Sequence, residues 1–194
     1  MKTPDIIEVT FKVVNVFEKL GIPYYLGGSL ASSAFGIPRS TLDADIVADI
    51  KSEQVAYMEE LLKREFYIDT EMINHAILHK SSFNLIHLEM LFKIDIFILK
   101  DRPFDRQVFI RRVQRAVSED ASQKLFFAAP EDIILHKLEW YKAGGEVSDR
   151  QWNDVLGISK VQGTHLDMSY LNKWAKGLGI SDLLKKALDE AGMS

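Results

Sequence analysis

The spacing of apolar side chains in the first two thirds of the chain predicts short strands that alternate with helices. Apolar positions recur at helical spacing over residues 4–20, with Thr3 as a candidate cap and Gly21 as a stop signal. Alternating or wholly apolar runs predict strands over residues 23–26, 42–49, 83–87, 90–99 and 123–128. Between them we expect helices over residues 29–35, 52–64 and 71–78, and a helix or turn over 104–108.

A different pattern begins at Pro130, after which nearly all of the chain is helical. The predicted helices span residues 131–141, 149–159, 168–178 and 181–191. This asymmetry predicts an α+β fold, in which a mixed β-sheet is flanked by helices and followed by a helical C-terminal lobe. We therefore expect a core over residues 1–128 and a helical lobe over residues 129–194.

Composition restricts both the chemistry and the location of the protein. The chain has 194 residues, a formal net charge of −4 and no cysteine. Disulfides and thiolate metal sites are therefore excluded, and any metal must bind to oxygen ligands. The acidic balance argues against a general nucleic-acid-binding surface. No apolar run approaches the ~18 residues of a membrane span, and the amino terminus lacks the apolar run of a signal peptide, so we expect a cytoplasmic protein without a membrane partner.

Two aspartates lie one residue apart on a predicted strand, Leu42-Asp43-Ala44-Asp45-Ile46-Val47. Side chains at positions i and i+2 of a strand point to the same face, so Asp43 and Asp45 project together. Adjacent carboxylates repel and raise each other's pKa unless a cation lies between them. Mg²⁺ (or Mn²⁺) fits this position, because Mg²⁺ binds one or two carboxylates together with substrate phosphate oxygens.

A third aspartate, Asp95, lies in the almost wholly apolar stretch over residues 92–99. An unpaired carboxylate buried in such a strand lowers the stability of the fold by several kcal/mol. Asp95 is therefore a candidate functional residue. If this strand neighbours the strand of Asp43 and Asp45, the three carboxylates converge as a two-metal site requires.

A glycine turn follows the first predicted strand, in the order Tyr25-Leu26-Gly27-Gly28-Ser29. Glycine lets a ligand approach the backbone closely, and the helix that follows turns its free N–H groups toward the same place. The hydroxyl of Ser29 either donates to a phosphate or caps this helix, and the sequence does not separate the two roles.

The run from Leu26 to Ile46 resembles the signature of the polymerase-β-like nucleotidyltransferase superfamily, in which a glycine turn precedes an Asp-X-Asp strand by one helix and a loop. Its loop and second strand look especially like the AbiE-type toxin branch and related bacterial proteins, through Arg39-Ser40-Thr41-Leu42-Asp43-Ala44-Asp45. The resemblance implies a nucleotidyltransferase-type sheet and a nucleoside triphosphate as substrate. It also implies roles for individual residues: triphosphate binding at Gly27, Gly28 and Ser29, and metal binding and catalysis at Asp43, Asp45 and Asp95.

The helical lobe extends the resemblance. Residues 129–138 are similar to the family's helix that carries a lysine near the nucleotide, here Lys137. Residues 149–155 resemble its helix that ends in an active-site aspartate, here Asp154, although Asn153 replaces the commoner basic residue before it. Lys137 is equally compatible with a surface position, and Asp154 with a structural ion pair to Lys137 or Arg150.

Basic residues flank the candidate site on both sides. Arg39 and Thr41 precede the carboxylate strand and are assigned to nucleotide binding, although Arg39 could instead neutralise Asp43 and Asp45. A second basic cluster either lines an acceptor groove, with RNA as one option, or pairs with nearby acids on an exposed face, which is the more ordinary arrangement: Arg102, Arg106, Arg111, Arg112 and Arg115.

Together these features predict a metal-dependent nucleotidyltransferase that moves a nucleoside monophosphate from a triphosphate to an acceptor hydroxyl, with release of pyrophosphate. The acceptor is open: tRNA, a protein or a small molecule. One alternative is the toxin of a toxin–antitoxin pair, which a neighbouring antitoxin gene would favour. A second is a catalytically silent binding module of the same fold, against which the retention of three carboxylates speaks. An open acidic pocket would favour a small-molecule acceptor.

Overall fold

The computed structural model describes residues 6–117 and 123–193. In this part of the chain the α-helices are α1 (Ile6–Lys19), α2 (Gly28–Phe35), α3 (Val55–Leu62), α4 (Thr70–His79), α5 (Pro103–Arg111), α6 (Pro130–Ala143), α7 (Asp149–Gln162), α8 (Met168–Leu178) and α9 (Ser181–Glu190). Short 3₁₀ turns span Ser52–Gln54 and Gly163–His165. The predicted cap at Thr3 lies outside the described residues.

Seven strands form one mixed sheet. They are β1 (Tyr24–Leu26), β2 (Asp43–Ala48), β3 (Phe66–Tyr67), β4 (Ser82–His87), β5 (Lys93–Ile98), β6 (Val113–Ala116) and β7 (Lys124–Phe127). Their order is β3-β4-β5-β2-β1-β7-β6. The pairs β2–β5 and β1–β7 are parallel, and the others are antiparallel. The observed sheet and helices confirm the predicted α+β class.

The strand next to the glycine turn carries its side chains in strict alternation. Ala44, Ile46 and Ala48 of β2 are fully buried, whereas Asp43 and Asp45 on the opposite face are only partly buried. This burial pattern follows directly from the alternation of apolar and acidic residues in the sequence. One face of β2 therefore belongs to the core, and the other face is open to a ligand.

The C-terminal helices cover the carboxylate face from one side. Helix α6 packs on α7, and both helices contact α2, the helix that follows the glycine turn. Pro130 at the start of α6 needs no hydrogen-bond partner for its nitrogen, which suits the first position of a helix. The division into a core over residues 1–128 and a lobe over 129–194 stays a prediction. Across the described residues, none of the helices is long and apolar enough to cross a membrane.

Candidate active site

The register of two parallel strands brings the predicted carboxylates to one face of the sheet. Asp45 on β2 lies directly opposite Asp95 on β5, and Asp43 lies opposite Lys93. Because Asp43 and Asp45 are two residues apart, they share the face on which Asp95 lies. The predicted three-carboxylate site requires these two strands to be neighbours, and the structure shows that they are.

Asp45 sits against the glycine turn. The N–H of Ser29 donates to the Asp45 carboxylate, which is nonetheless held at a raised pKa by burial and by the charges of Asp43 and Asp95. Gly28 adopts a φ of +53°, and a Cβ on this residue would lie only 1.7 Å from Asp45 Oδ2. Gly27 has no such contact with Asp45. The close approach of a ligand at both glycines stays a prediction.

The donor atoms at this face suit a hard divalent cation. Asp43 accepts a hydrogen bond of 2.5 Å from Thr41 Oγ1, and Asp95 Oδ2 lies 2.7 Å from the ammonium of Lys93. Over the described ranges, no three His, Asp or Glu side chains are grouped closely enough to hold a metal by themselves. Mg²⁺ needs only one or two protein carboxylates beside substrate phosphate oxygens, so carboxylates at Asp43 and Asp45 fit it. The unfavourable charge at Asp45 is what such a cation would relieve.

A charged network joins the loop before β2 to the C-terminal helices. Arg39 forms a bidentate pair with Asp154, with Nε and Nη2 at 2.9 and 3.0 Å from the two carboxylate oxygens. Lys137 Nζ lies 2.8 Å from Asp154 Oδ2 and donates to Gln151 at 2.9 Å. The structural ion pair between Asp154 and Lys137, considered as an alternative from the sequence, is thus formed.

The electrostatics of this network follow from burial and pairing. Burial raises the pKa of Asp154, but the hydrogen bonds and charges of Arg39 and Lys137 outweigh it and leave that pKa below its ordinary value. Burial lowers the pKa of Lys137 despite its bond to Asp154. Lys137 is 6% exposed, which rules out the plain surface lysine that the sequence also allowed.

Two guanidinium groups meet at the hydroxyl of Ser29. Arg39 Nη2 donates to Ser29 Oγ at 2.7 Å and Arg150 Nη2 donates to the same oxygen at 3.0 Å. Arg39 therefore contacts Ser29 and Asp154, whereas the partners expected from the sequence are the triphosphate or Asp43 and Asp45. The serine, both arginines and the start of α2 together form a cationic corner beside Asp45.

Three residues that contact the corner or the carboxylates were not assigned to the site from the sequence. Arg150 was considered only as a partner of Asp154, and its contact with Ser29 spans 121 residues. Gln151 follows it and bonds Lys137. Lys93 could have been found, because it precedes Asp95 by two residues on the same strand and so shares its face.

The second basic cluster is mostly satisfied within the protein. Arg102 pairs with Asp105 and Glu139, and Arg106 pairs with Asp101. Arg111 bonds Glu131 and Asp132, while Arg112 and Arg115 lie over aromatic rings. This arrangement agrees with the paired alternative for the cluster rather than with a bare phosphate-binding groove.

Replacing Asp154 by asparagine should lower the free energy of unfolding by about 2 kcal/mol at pH 7, because Lys137 and Arg39 would keep their charges without a counter-ion. The folded-state pKa of Asp154 is depressed, so its contribution is present above the ordinary carboxylate pKa and is lost as pH falls through the folded value. Urea unfolding of wild type and variant should therefore show a difference that shrinks below about pH 4. Asp189→Asn, at an exposed site on α9, is the control; an unchanged difference at low pH would contradict the assignment.

Comparison with solved structures gives the fold. No protein-family model and no curated protein matches the sequence. The chain is similar to ANT(2″)-Ia in complex with adenylyl-2″-tobramycin, at 11% identity and a TM-score of 0.58, over 88% of this chain and 97% of that one. It is also similar to an antigenic nucleotidyltransferase-like protein from Paracoccidioides brasiliensis, at 17% identity and a TM-score of 0.52, over 91% of each chain. The chain has the nucleotidyltransferase fold.

A third neighbour is the lincosamide antibiotic adenylyltransferase LnuA in its lincomycin-bound form, at 13% identity and a TM-score of 0.50, over 82% of this chain and 99% of that one. Identities this low establish a shared fold and leave the substrate to be argued from the side chains of the site. The fold expected from the glycine turn and the Asp-X-Asp strand is thereby confirmed, whereas the AbiE-type branch is not.

Proposed function

We propose that this protein is a metal-dependent nucleotidyltransferase that transfers a nucleoside monophosphate from a triphosphate to an acceptor hydroxyl. The observation that carries the proposal is the position of Asp45, opposite Asp95 on the paired strand and in contact with the side-chain-free Gly28. This chemistry requires carboxylate oxygens that bind a cation and a backbone turn without side chains that binds phosphates. In this protein the carboxylate and the turn are in contact.

The cationic corner is the proposed triphosphate site. Ser29, Arg39 and Arg150 already converge on one point at the N-terminal end of α2, where the helix dipole favours an anion. Lys137 adds a buried positive charge next to it. Gly27 shapes the turn, Thr41 orients Asp43, and Asp154 holds Arg39 and Lys137 in position.

In the proposed reaction, the acceptor oxygen forms a bond to the α-phosphorus while the bond from that phosphorus to the bridging oxygen breaks. Pyrophosphate leaves with the electron pair, held by the arginines, and Asp95 takes the proton of the acceptor hydroxyl. Mg²⁺ or Mn²⁺, held by Asp43 and Asp45 with Asp95 beside them, would neutralise charge on the phosphate oxygens. The protein's contribution is otherwise positioning and charge, as is usual in phosphoryl chemistry.

Label transfer tests this proposal. Purified protein is incubated with each α-labelled nucleoside triphosphate and Mg²⁺ or Mn²⁺, together with cellular RNA, protein or small-molecule extract in separate reactions. We expect metal-dependent transfer of label into one of the three fractions. Absence of label from all three fractions, together with no metal-dependent binding of any triphosphate in a separate binding assay, would favour the silent binding module instead.

Arg150→Gln should raise the KM for the nucleoside triphosphate by about tenfold, since a charge-assisted hydrogen bond to phosphate is lost. The turnover number should fall less, because Arg150 is assigned to the leaving phosphates and not to the attacking hydroxyl. Arg106→Gln removes an exposed arginine that pairs with Asp101 and serves as the matched control. Equal KM values for wild type and Arg150→Gln would remove Arg150 from the proposed site.

The AbiE-type branch, a toxin role and an antitoxin partner stay predictions from the sequence alone. A small antitoxin gene next to this one, and relief of growth arrest when both are expressed, would support them. The transferase proposal does not depend on that outcome.

A further inference from the structure

Lys93 lies among the carboxylates of the proposed site. It is the first residue of β5 and precedes Asp95 by two positions, so both side chains project from the same face of the sheet. The register of the parallel pair β2–β5 places Lys93 opposite Asp43 and Asp95 opposite Asp45. One ammonium and three carboxylates therefore occupy adjacent positions on two paired strands.

The ammonium of Lys93 makes its direct contact with Asp95. Its Nζ atom lies 2.7 Å from Asp95 Oδ2. The hydrogen bond to Asp95 raises the pKa of Lys93, and the charges of Asp95, Asp43 and Asp45 raise it further, against the lowering effect of burial. Lys93 thus interacts with all three carboxylates that are assigned to the metal.

A metal ion that bound Asp95 would meet the charge of Lys93. Mg²⁺ binds carboxylate oxygens at about 2.1 Å. A carboxylate that is shared between such an ion and an ammonium holds the two cations within about 5 Å of each other, where they repel. The metal must therefore either displace the ammonium from Asp95 or bind less tightly.

The pair of Lys93 and Asp95 is exposed enough to open. The side chain of Lys93 is 48% exposed and that of Asp95 is 22% exposed. Ion pairs at such exposure contribute little to stability. The pair of Lys137 and Asp154 differs, because both of its side chains are only 7% exposed. Lys93 can therefore leave Asp95 without loss of the fold.

We propose that Lys93 is a positioning residue that competes with a divalent metal for Asp95 and so keeps the metal affinity of the substrate-free protein low. This inference rests on the proposed transferase function, because it takes Asp43, Asp45 and Asp95 as the carboxylates that hold the metal. The metal then enters mainly together with the triphosphate, whose phosphate oxygens supply further ligands.

The test is a titration of the substrate-free full chain with Mn²⁺, in which the EPR signal of the free ion reports binding without any turnover. Lys93→Met keeps an unbranched side chain and removes the charge, so it should lower the dissociation constant for Mn²⁺ by about tenfold or more. A merely structural lysine would give the opposite sign, because carboxylates that are displaced from their positions bind metal more weakly.

Two substitutions serve as controls. Lys93→Arg keeps a positive charge beside Asp95, and its dissociation constant should stay within about threefold of the wild-type value. Lys63→Met removes a lysine that has the same 48% side-chain exposure and pairs with Glu60. It should change the dissociation constant by less than about twofold, since charges that lie far apart at the surface are screened.

A double-mutant cycle shows whether the competition takes place at Asp95. If the ammonium acts through this carboxylate, the effect of Lys93→Met should shrink to about threefold or less when Asp95→Asn is already present. The same Mn²⁺ titration measures both single variants and the double variant.

Three results would overturn the inference and leave the transferase proposal intact. Lys93→Met could leave the dissociation constant unchanged or raise it, it could lower it equally with and without Asp95→Asn, or Lys63→Met could lower it as much. Failure of the transferase proposal has a separate signature, in which neither wild type nor Lys93→Met binds Mn²⁺, alone or with α,β-methylene-ATP. That result would remove both proposals.

Discussion

Asp45→Asn is expected to lower the rate of nucleotide transfer by at least about a hundredfold, the cost typical of removing one preorganised electrostatic contact at a reacting phosphate or carbonyl. The substitution keeps the size and shape of the side chain and removes only its charge. Asp45 lies opposite Asp95 and touches the glycine turn, so no neighbouring carboxylate can take over its position.

The same substitution should preserve or raise the free energy of unfolding. The pKa of Asp45 is raised by burial and by Asp43 and Asp95, which means that the folded protein bears an electrostatic cost when this carboxylate is ionised. Asparagine removes that cost. Loss of activity together with retained stability distinguishes a functional carboxylate from a structural one.

Steady-state label transfer and urea unfolding, both at pH 7, measure the two effects. Asp189→Asn, at an exposed position on α9, should change both by little. A variant that retains more than about a tenth of wild-type transfer, or that loses stability while Asp189→Asn does not, would contradict the role assigned to Asp45.

Gly28→Ala is expected to lower the free energy of unfolding by about 2–5 kcal/mol and to abolish nucleotide transfer, because backbone strain and a steric clash add at this position. The backbone φ of +53° is strained for alanine, and the new Cβ would lie 1.7 Å from Asp45 Oδ2 and 2.5 Å from Asp45 Cγ. Relief of the clash must displace either the turn or the carboxylate.

Gly21→Ala separates the backbone strain from the steric clash. Gly21 has a similar φ of +65°, but a Cβ there would meet no atom within 4 Å. It should therefore lose only the backbone contribution of about 1–2 kcal/mol and keep its activity. Equal destabilisation of the two variants in thermal or urea unfolding would mean that the contact between Gly28 and Asp45 is not tight in solution.

The sequence predicted the parts of the fold and site that depend on local alternation. The two aspartates of β2 share a face because the strand alternates Asp43, Asp45 and Val47 with buried residues, and this alternation is visible in the sequence. Strand β3 was missed because Phe66–Tyr67 is only two residues long and cannot display a period. The predicted helix over 52–64 begins as a 3₁₀ turn and is shorter than expected.

Features that depend on long-range packing were beyond the sequence. The bond between Arg39 and Asp154 joins residues 115 positions apart, and the approach of Arg150 to Ser29 spans 121. Both depend on how α7 packs against α2, which no local pattern specifies. The carboxylates could thus be named from the sequence, whereas the partners that would position a substrate beside them could not.

The most direct test of the proposed reaction is to follow two phosphates of one nucleotide. Parallel reactions contain Mg²⁺, the acceptor fraction that supports transfer, and the same triphosphate labelled at either the α- or the γ-phosphorus. The proposed reaction predicts that the α label becomes attached to the acceptor and that the γ label appears in pyrophosphate in equal amount. Attachment of the γ label to the acceptor, or its release as inorganic phosphate without α transfer, would contradict it.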